Sequence, residues 1–105
     1  MIITAHRDTG GQTRLELDGA LDMGTAGTLD DQVARTLVDT RPHRLIVDVT
    51  GVNFCDSSGI HALVRARDTA HRHGAAFAVH NPVGITRRTL EIAGLLGPLT
   101  MLSSG

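Results

Sequence analysis

Asp56, Ser57 and Ser58 stand consecutively and are closed by Gly59 in the run Phe54-Cys55-Asp56-Ser57-Ser58-Gly59. A carboxylate and two hydroxyls in a row are the side chains that accept hydrogen bonds from the free N–H groups at the start of a helix. The glycine lets a strand and a helix approach closely. Local chemistry alone therefore reads the run as a helix cap. A nucleophilic role for Ser57 or Cys55 would need a positioned base. The six histidines, at 6, 43, 61, 71, 73 and 80, form no triad spacing. His61 lies four residues past Ser57, could approach it along a helix, and reads as a surface residue. Cys55 follows Phe54 and reads as a small packed hydrophobe. Asp22, Asp48 and Asp56 are carboxylates of the kind that hold a hard cation. Asp48, however, sits inside an apolar strand pattern, so no metal site is expected. Gly10-Gly11 is a turn, and the chain has no lysine to complete a phosphate loop.

The elements that must position these residues follow from periodicity. Ile2–Arg7 and Thr13–Asp18 predict two strands joined at Asp8-Thr9-Gly10-Gly11, with Leu15 and Leu17 alternating against Arg14, Glu16 and Asp18. Ala26, Leu29, Val33 and Leu37 recur at helical spacing, predicting a helix over 25–39 capped by Thr25 and ended before Pro42. Leu45-Ile46-Val47-Asp48-Val49 predicts a central parallel strand. A second helix is expected over 58–73, with Ile60, Leu63, Val64 and Ala70 inward and Gly74 as its C-terminal cap. Ala76–His80 predicts a strand. A third helix is expected over 82–93, with Ile85, Thr89 and Ile92 on one face and Gly94-Leu95 as a left-handed cap with a hydrophobic clasp. Leu99–Leu102 completes the pattern as a last strand. The order ββαβαβαβ predicts one α/β domain over 1–105. An N-terminal antiparallel hairpin opens a mixed sheet, parallel strands extend it, and right-handed crossovers put the helices mainly on one face. The other face is expected to be relatively bare or partner-covered. Leu15, Leu17, Leu45, Val47, Val49, Ile60, Leu63, Val64, Phe77, Val79 and Ile92 are the expected core.

Composition narrows the function. The chain has 105 residues, 41% hydrophobic and 20% charged, which is ordinary globular composition. Lys+Arg is 10, Asp+Glu is 11, and the only aromatics are two Phe. Nucleic-acid binding would call for a basic excess or stacking aromatics, so none is expected. One cysteine allows no internal disulfide, and no signal peptide or membrane span is legible. A cytoplasmic protein with no cofactor and no membrane partner is expected. His71-Arg72-His73 reads as a solvated helix end, and Arg87-Arg88 as solvent-facing, with an acidic partner as the sharper reading.

Ligand and partner sites of parallel sheets gather beyond the carboxyl ends of the strands. Two segments lead there, Gly19-Ala20-Leu21-Asp22-Met23-Gly24-Thr25-Ala26 and Gly51–Gly59. Phe54-Cys55-Asp56-Ser57-Ser58-Gly59-Ile60 resembles the signature of the STAS domain family, in particular of bacterial anti-sigma factor antagonists. Gly19, Leu21-Asp22 and Thr25-Ala26 resemble a second block of that family, and Ile92-Ala93-Gly94-Leu95 the ending of its third helix. The resemblance extends over about residues 2–102. It implies a STAS-like fold and a non-enzymatic anti-sigma factor antagonist. It further implies that Ser57 is phosphorylated by an anti-sigma factor serine kinase, which the unphosphorylated form binds so that a sigma factor is released. A metal-dependent Ser/Thr phosphatase would reset the phosphorylated form. Asp22, Thr25, Asp56, Ser57, Ser58, Gly59 and His61 are the implied partner-binding positions. Ser57 is expected to be the acceptor over Ser58, whose hydroxyl is expected to bond to the backbone. The chain departs from the family where Ala20 replaces the usual Glu, where His61 replaces a frequent small residue, and in a terminal helix expected to be missing or shortened. Two other readings remain: a STAS interaction module of another signalling or transport-associated complex with Ser57 unused, and a small hydrolase or transferase using Ser57.

Overall fold

The computed structural model describes residues 1–105. Strands β1 (Ile2–Arg7) and β2 (Gln12–Leu21) form the expected hairpin, with Ile3 opposite Leu17 and Ala5 opposite Leu15. Its turn closes through Asp8, whose Oδ1 accepts hydrogen bonds from the N–H of Gly10 (2.9 Å) and of Gln12 (3.0 Å). β3 (Arg44–Cys55) runs parallel to β2, and β4 (Ala76–His80) parallel to β3, giving the order β1-β2-β3-β4. The helices are α1 (Ala26–Thr40), α2 (Ser57–Arg72), α3 (Gly84–Ile92) and α4 (Leu96–Thr100).

Side-chain alternation splits the sheet into two chemically distinct faces. Leu15 and Leu17 of β2, Leu45, Val47 and Val49 of β3, and Phe77 and Val79 of β4 point into one core. They meet Leu29, Val33 and Leu37 of α1, Ile60 and Leu63 of α2, Leu90 of α3 and Leu99 of α4. All four helices thus pack on one face, as right-handed crossovers in a single direction require. On the other face the register lines up Arg14, Ile46 and Ala78 in one row and Glu16, Asp48 and His80 in the next. Arg14 Nη1 is 2.6 Å from Glu16 Oε2 and 3.3 Å from Asp48 Oδ2, and His6 Nε2 lies 3.5 Å from the same Glu16 oxygen. This face carries no helix. Its apolar residues, Ile46 and Ala78, are nevertheless only 2% and 1% exposed.

Four features differ from the sequence-based expectation. β2 and β3 run three and six residues past their predicted ends, because Asp18–Leu21 pairs with Gly51–Cys55. The breaker-rich composition there is accommodated by register shifts between Glu16 and Asp18 and between Gly19 and Ala20, with Gly19 at φ +110°. A Cβ on Gly51 would collide with the Asp18 side chain and the Leu17 carbonyl, so the first irregularity demands glycine. Second, α3 starts at Gly84, after Pro82, and is turned so that Thr86 and Leu90 face inward. Ile92, expected in the core, is 77% exposed, and Ile85 is 49% exposed. Leu90 supplies the bulk that fills the space above β3, and the buried Thr86 hydroxyl donates to the Val52 carbonyl (3.4 Å). Third, the expected strand at 99–102 is replaced by α4, which buries Leu99. Only Ser103 pairs with β4, exchanging two backbone hydrogen bonds of 2.9 Å with Phe77. Fourth, Val64 is half-buried, packed against the margin of the core. The glycine caps stand as expected. Gly74 (φ +75°) ends α2, and Gly94 (φ +73°) ends α3, with Leu95 N–H donating back to Leu90 O at 2.9 Å.

Two measurements check this packing. Leu63 is fully buried, so Leu63→Ala should lose about 2–5 kcal/mol in denaturant melts, whereas Ile92→Ala should lose less than about 0.5 kcal/mol. The reverse order would mean that α3 is rotated. Asp48 gives a pH test. Burial alone would raise its pKa, but hydrogen bonds from the Thr50 hydroxyl and N–H and from Asn81, with the Arg14 charge, hold it below the ordinary value. Its stabilisation is complete above the unfolded-state value of about 3.9 and is lost as pH falls through the lower folded value. Thermal melts of Asp48→Asn should therefore fall below wild type at neutral pH and begin to converge on it only as pH drops below about 4.

Candidate functional site

The extended pairing of β2 with β3 builds the site. Leu21 is the register partner of Cys55, so the chains leaving the two strands, at Asp22 and Asp56, start side by side. The Asp56 N–H donates to the Leu21 carbonyl (3.4 Å) across that junction. Both acidic residues and Ser57 thus lie at the carboxyl ends of the parallel strands.

Asp56 is the N-cap of α2. Its backbone is extended (φ −102°, ψ −171°), and its Oδ1 accepts from Gly59 N–H at 3.0 Å. Neither serine takes part in this cap, so the carboxylate alone does what the three residues together could have done. Ser57 is the first residue of α2 and is exposed. Ser58 is half-buried, and its hydroxyl makes no backbone hydrogen bond, contrary to expectation. Exposure is what separates the two. Gly59 lies where helix and strand touch: a Cβ there would collide with the Leu21 carbonyl oxygen and come within 2.8 Å of Cys55 Sγ.

The β2–α1 loop is held by its own polar groups. Asp22 Oδ1 accepts from Gly24 N–H (2.9 Å). Thr25, expected to cap α1, makes no side-chain bond into that helix. Its hydroxyl instead donates to the Ala20 carbonyl (2.9 Å) and accepts from Asp22 N–H (3.0 Å), clasping the loop onto the strand end. The Asp22 backbone carbonyl accepts from Ala26 N–H at 2.9 Å. Thr25 therefore helps to position Asp22, and is half-buried to the same degree. Met23 and Phe54 flank the acidic pair in sequence and are 81% and 46% exposed, so the end of the sheet displays apolar as well as acidic groups.

The remaining candidates separate. Asp48 is turned to the helix-free face and held by Thr50 (Oγ1 2.6 Å) and Arg14, so it is not brought together with Asp22 and Asp56. No group of three His, Cys, Asp or Glu side chains is arranged to hold a metal ion. Cys55 is buried, and its thiol is pushed up to about 11, first by burial and then by the neighbouring Asp56 charge. His61 is exposed, makes no hydrogen bond to Ser57, and shares with it the wall of one groove. His71 was expected at a solvated helix end. It is half-buried, with Nε2 3.0 Å from Ser103 Oγ, and ties the C-terminal segment to α2. Thr89 is a residue that sequence reasoning placed on a core face without a role. Its hydroxyl, 2.8 Å from the Ile85 carbonyl one turn back and 3.3 Å from the Cys55 carbonyl, is shared between its own helix and the strand end just before the Asp-Ser-Ser turn. No local pattern marks it, since its partner is 34 residues away in sequence.

Comparison with known proteins agrees with this geometry. The STAS domain family model matches residues 4–103. Anti-sigma-F factor antagonist RsfB of Mycobacterium tuberculosis (strain CDC 1551 / Oshkosh) is 27% identical over 88 residues, 84% of this chain and 70% of that protein. The crystal structure of an anti-sigma factor antagonist from Mycobacterium paratuberculosis superposes with a TM-score of 0.77 at 26% identity, covering 93% of this chain and 83% of that one. SpoIIAA, the Bacillus cell fate determinant, in its phosphorylated form has a TM-score of 0.71 at 19% identity, covering 95% and 89%; this likeness is one of fold. No helix is long and apolar enough to cross a membrane. A family match over nearly the whole chain joins the capped Asp-Ser-Ser-Gly turn at the end of a hairpin-led, otherwise parallel sheet, and the chain belongs to the STAS domain family.

Proposed function

We propose that this chain is a single-domain anti-sigma factor antagonist that binds an anti-sigma factor serine kinase, releases the sigma factor held by it, and is switched off by phosphorylation of Ser57. The observation that carries the reading is the position of Ser57: an exposed hydroxyl at the first residue of α2, on a turn fixed by Asp56 and Gly59, at the same end of the sheet as Asp22. The relatives support it. RsfB is an anti-sigma-F factor antagonist, and SpoIIAA is known in a phosphorylated form.

In the proposed step the Ser57 oxygen attacks the γ-phosphorus of ATP, the bond to the β-phosphate oxygen breaks, ADP leaves and the hydroxyl proton is lost. The product places about −1.5 to −2 charges where a neutral hydroxyl stood. The α2 N-terminus favours that charge. Asp56 and Asp22 oppose it, so folding stability changes little. A partner surface fitted to the neutral turn meets both bulk and repulsion, and a loss of about 3 kcal/mol weakens binding about a hundredfold. Hydrolysis of the phosphoserine by a metal-dependent Ser/Thr phosphatase restores the binding form. In this reading Asp22, Thr25, Asp56, Ser57, Ser58, Gly59 and His61 form the contact surface, Thr25 also positioning Asp22, and the protein itself catalyses nothing.

The test compares unmodified, Ser57-phosphorylated and Ser57→Ala protein for binding to the anti-sigma factor serine kinases of the source organism, with ADP or ATP present. Ser57→Ala should fold, bind and remain permanently active, because the hydroxyl is a small part of the contact. Ser57→Asp should bind poorly, through a smaller charge than phosphate. Asp22→Asn should weaken binding or phosphorylation without unfolding the protein. Mass spectrometry should find phosphate on Ser57 and not on Ser58. Equal affinity of all three forms would leave an interaction module without a phosphoswitch.

A second measurement addresses the nucleophile alternative. With its thiol pushed up to about 11 by burial and the Asp56 charge, Cys55 is almost entirely protonated at pH 8. Thiol-reactive dyes should label the folded protein far more slowly at pH 8 than the urea-unfolded chain. Rapid labelling of native protein would reopen a reactive role for Cys55.

A further inference from the structure

The sheet ends differently at its two edges. β4 is met by the C-terminal segment, where Ser103 exchanges two backbone hydrogen bonds of 2.9 Å with Phe77. β1 has a neighbouring strand on one side only. Its pairing with β2 runs unbroken from Ile2 to Arg7, and it has no bulge, proline or lysine to guard an open edge. The hairpin fixes the direction of its amides. Asp8 N–H donates inward to the Gln12 carbonyl, one step past the Arg7–Thr13 pair. Antiparallel amides alternate. Ile2, Thr4 and His6 therefore bond to β2, while the N–H and C=O groups of Ile3, Ala5 and Arg7 point out of the sheet. The side chains of Ile3, Ala5 and Arg7 lie on the helix-bearing face, opposite Leu17, Leu15 and Thr13. There an open cleft of about 330 Å³ separates β1 from the flank of α1, bordered by Ala5, Arg7, Gln32, Arg35, Thr36 and Asp39. Arg35 and Asp39 stand one turn apart and are both exposed, yet neither lies within 4.0 Å of an opposite charge. Arg35 reaches only Gln32 Oε1, at 3.5 Å.

We propose that β1 is the seam of a two-fold homodimer: it pairs antiparallel with β1 of a second copy, Ala5 against Ala5, and the two sheets join into one. In this register Ile3 of each copy bonds to Arg7 of the other, and the outward groups form about six new backbone hydrogen bonds. The faces stay in phase. On the helix-bearing side Ala5 meets Ala5 between the two Leu15 side chains, and the stem of Arg7 lies over Ile3 of the second copy. On the other side Thr4 meets His6, and no like charges stand directly opposite. A second copy is the occupant because the flank is complementary to itself, as a two-fold interface requires. Three strand spacings, about 14 Å, separate β2 from its counterpart. α1 is tied to β2 through the Thr13 and Thr40 hydroxyls, 3.5 Å apart, and a helix is about 10 Å across. The two α1 helices thus face each other antiparallel across the seam, and the axis sets Arg35 of each against Asp39 of the other. β3, which leads into Ser57, lies on the far side of β2. Ser57 stays open in both copies, and the inference is independent of the functional reading above.

The experiment uses the full chain alone, in sedimentation and in amide hydrogen exchange. A short seam makes a weak dimer, so the wild type should sediment as a monomer at about 5 µM and mainly as a dimer at about 500 µM. Ala5→Pro removes an amide that bonds nothing within the chain, which an edge strand tolerates. The variant should fold and stay monomeric at about 500 µM. Arg35→Asp and Asp39→Arg should each weaken association at least about tenfold, and the double variant, with the charges exchanged, should recover it to within about threefold of wild type. Val38→Glu, at an exposed α1 residue on the flank that faces Arg41 and His73, should associate as wild type. Exchange reads the register. Raising the concentration should slow the amides of Ile3, Ala5 and Arg7, while those of Thr4 and His6, already bonded to β2, should change little. A wild type that stays monomeric to about 1 mM overturns the proposal. A dimer that keeps its affinity in Arg35→Asp, or forms without slowing the Ala5 amide, uses another surface and overturns it as well. Should Ala5→Pro fail to fold, the charge exchange and the alternating protection decide.

Discussion

The parallel pairing of β2 with β3, carried beyond the point where either strand looks regular, is the constraint on which the site depends. Regular pairing ends at Glu16 and Asp48, and two register shifts carry the ladder on to Leu21 and Cys55. Without that extension Asp22 and Asp56 would leave the sheet from separate places. With it, the two turns share a backbone hydrogen bond, and Gly59 lets α2 press its first turn against Leu21 and Cys55. Bulges re-aim strands at functional edges in this way. Here they make Gly51 and Gly59 steric necessities, since any side chain at either position would displace the opposite strand.

The site is consequently stiff where it touches the sheet and open where it meets solvent. Asp56 spends its carboxylate on the Gly59 N–H, Asp22 on the Gly24 N–H, and Thr25 on the Ala20 carbonyl. Each satisfies a backbone group that would otherwise compete for the same hydroxyls and carboxylates. Ser57 is left exposed and without such a task. A hydroxyl free of structural work can be modified at little expense to the fold, as the proposed phosphoswitch requires.

Polarity is divided across the sheet just as sharply. The helix-covered face holds the core, while the opposite face ties β1, β2 and β3 together through His6, Glu16, Arg14 and Asp48. Exposed ion pairs of this kind contribute little individually. The half-buried Arg14–Asp48 link, reinforced by Thr50, also fills the hydrogen-bonding capacity of a carboxylate that lies in the central strand. Asp48 is therefore a structural carboxylate, although its type and its place in β3 would equally have suited a ligand.

Much of this was determined by the residues alone. Alternation over Arg14–Leu17, the apolar run at 45–49, the helical spacing of Leu29, Val33 and Leu37, and glycine caps at 74 and 94 are local signals, and local signals dictate elements. They gave the hairpin, three helices and the single helix-bearing face, and the Asp-Ser-Ser-Gly run marked the site. Tertiary structure decided what depends on a distant partner. Gly19–Leu21 and Gly51–Cys55 read as loops because each needs the other to become strand. α3 offers two apolar faces a small rotation apart, and burial of Leu90, with Thr86 bonded to Val52 across 34 residues, selects one and leaves Ile92 outside. Leu99–Leu102 carries strand-like residues, but Leu99 reaches the core from a short helix and only Ser103 pairs with β4. Periodicity records which residues are apolar at what interval, and which of two apolar faces turns inward is settled by the surface it meets.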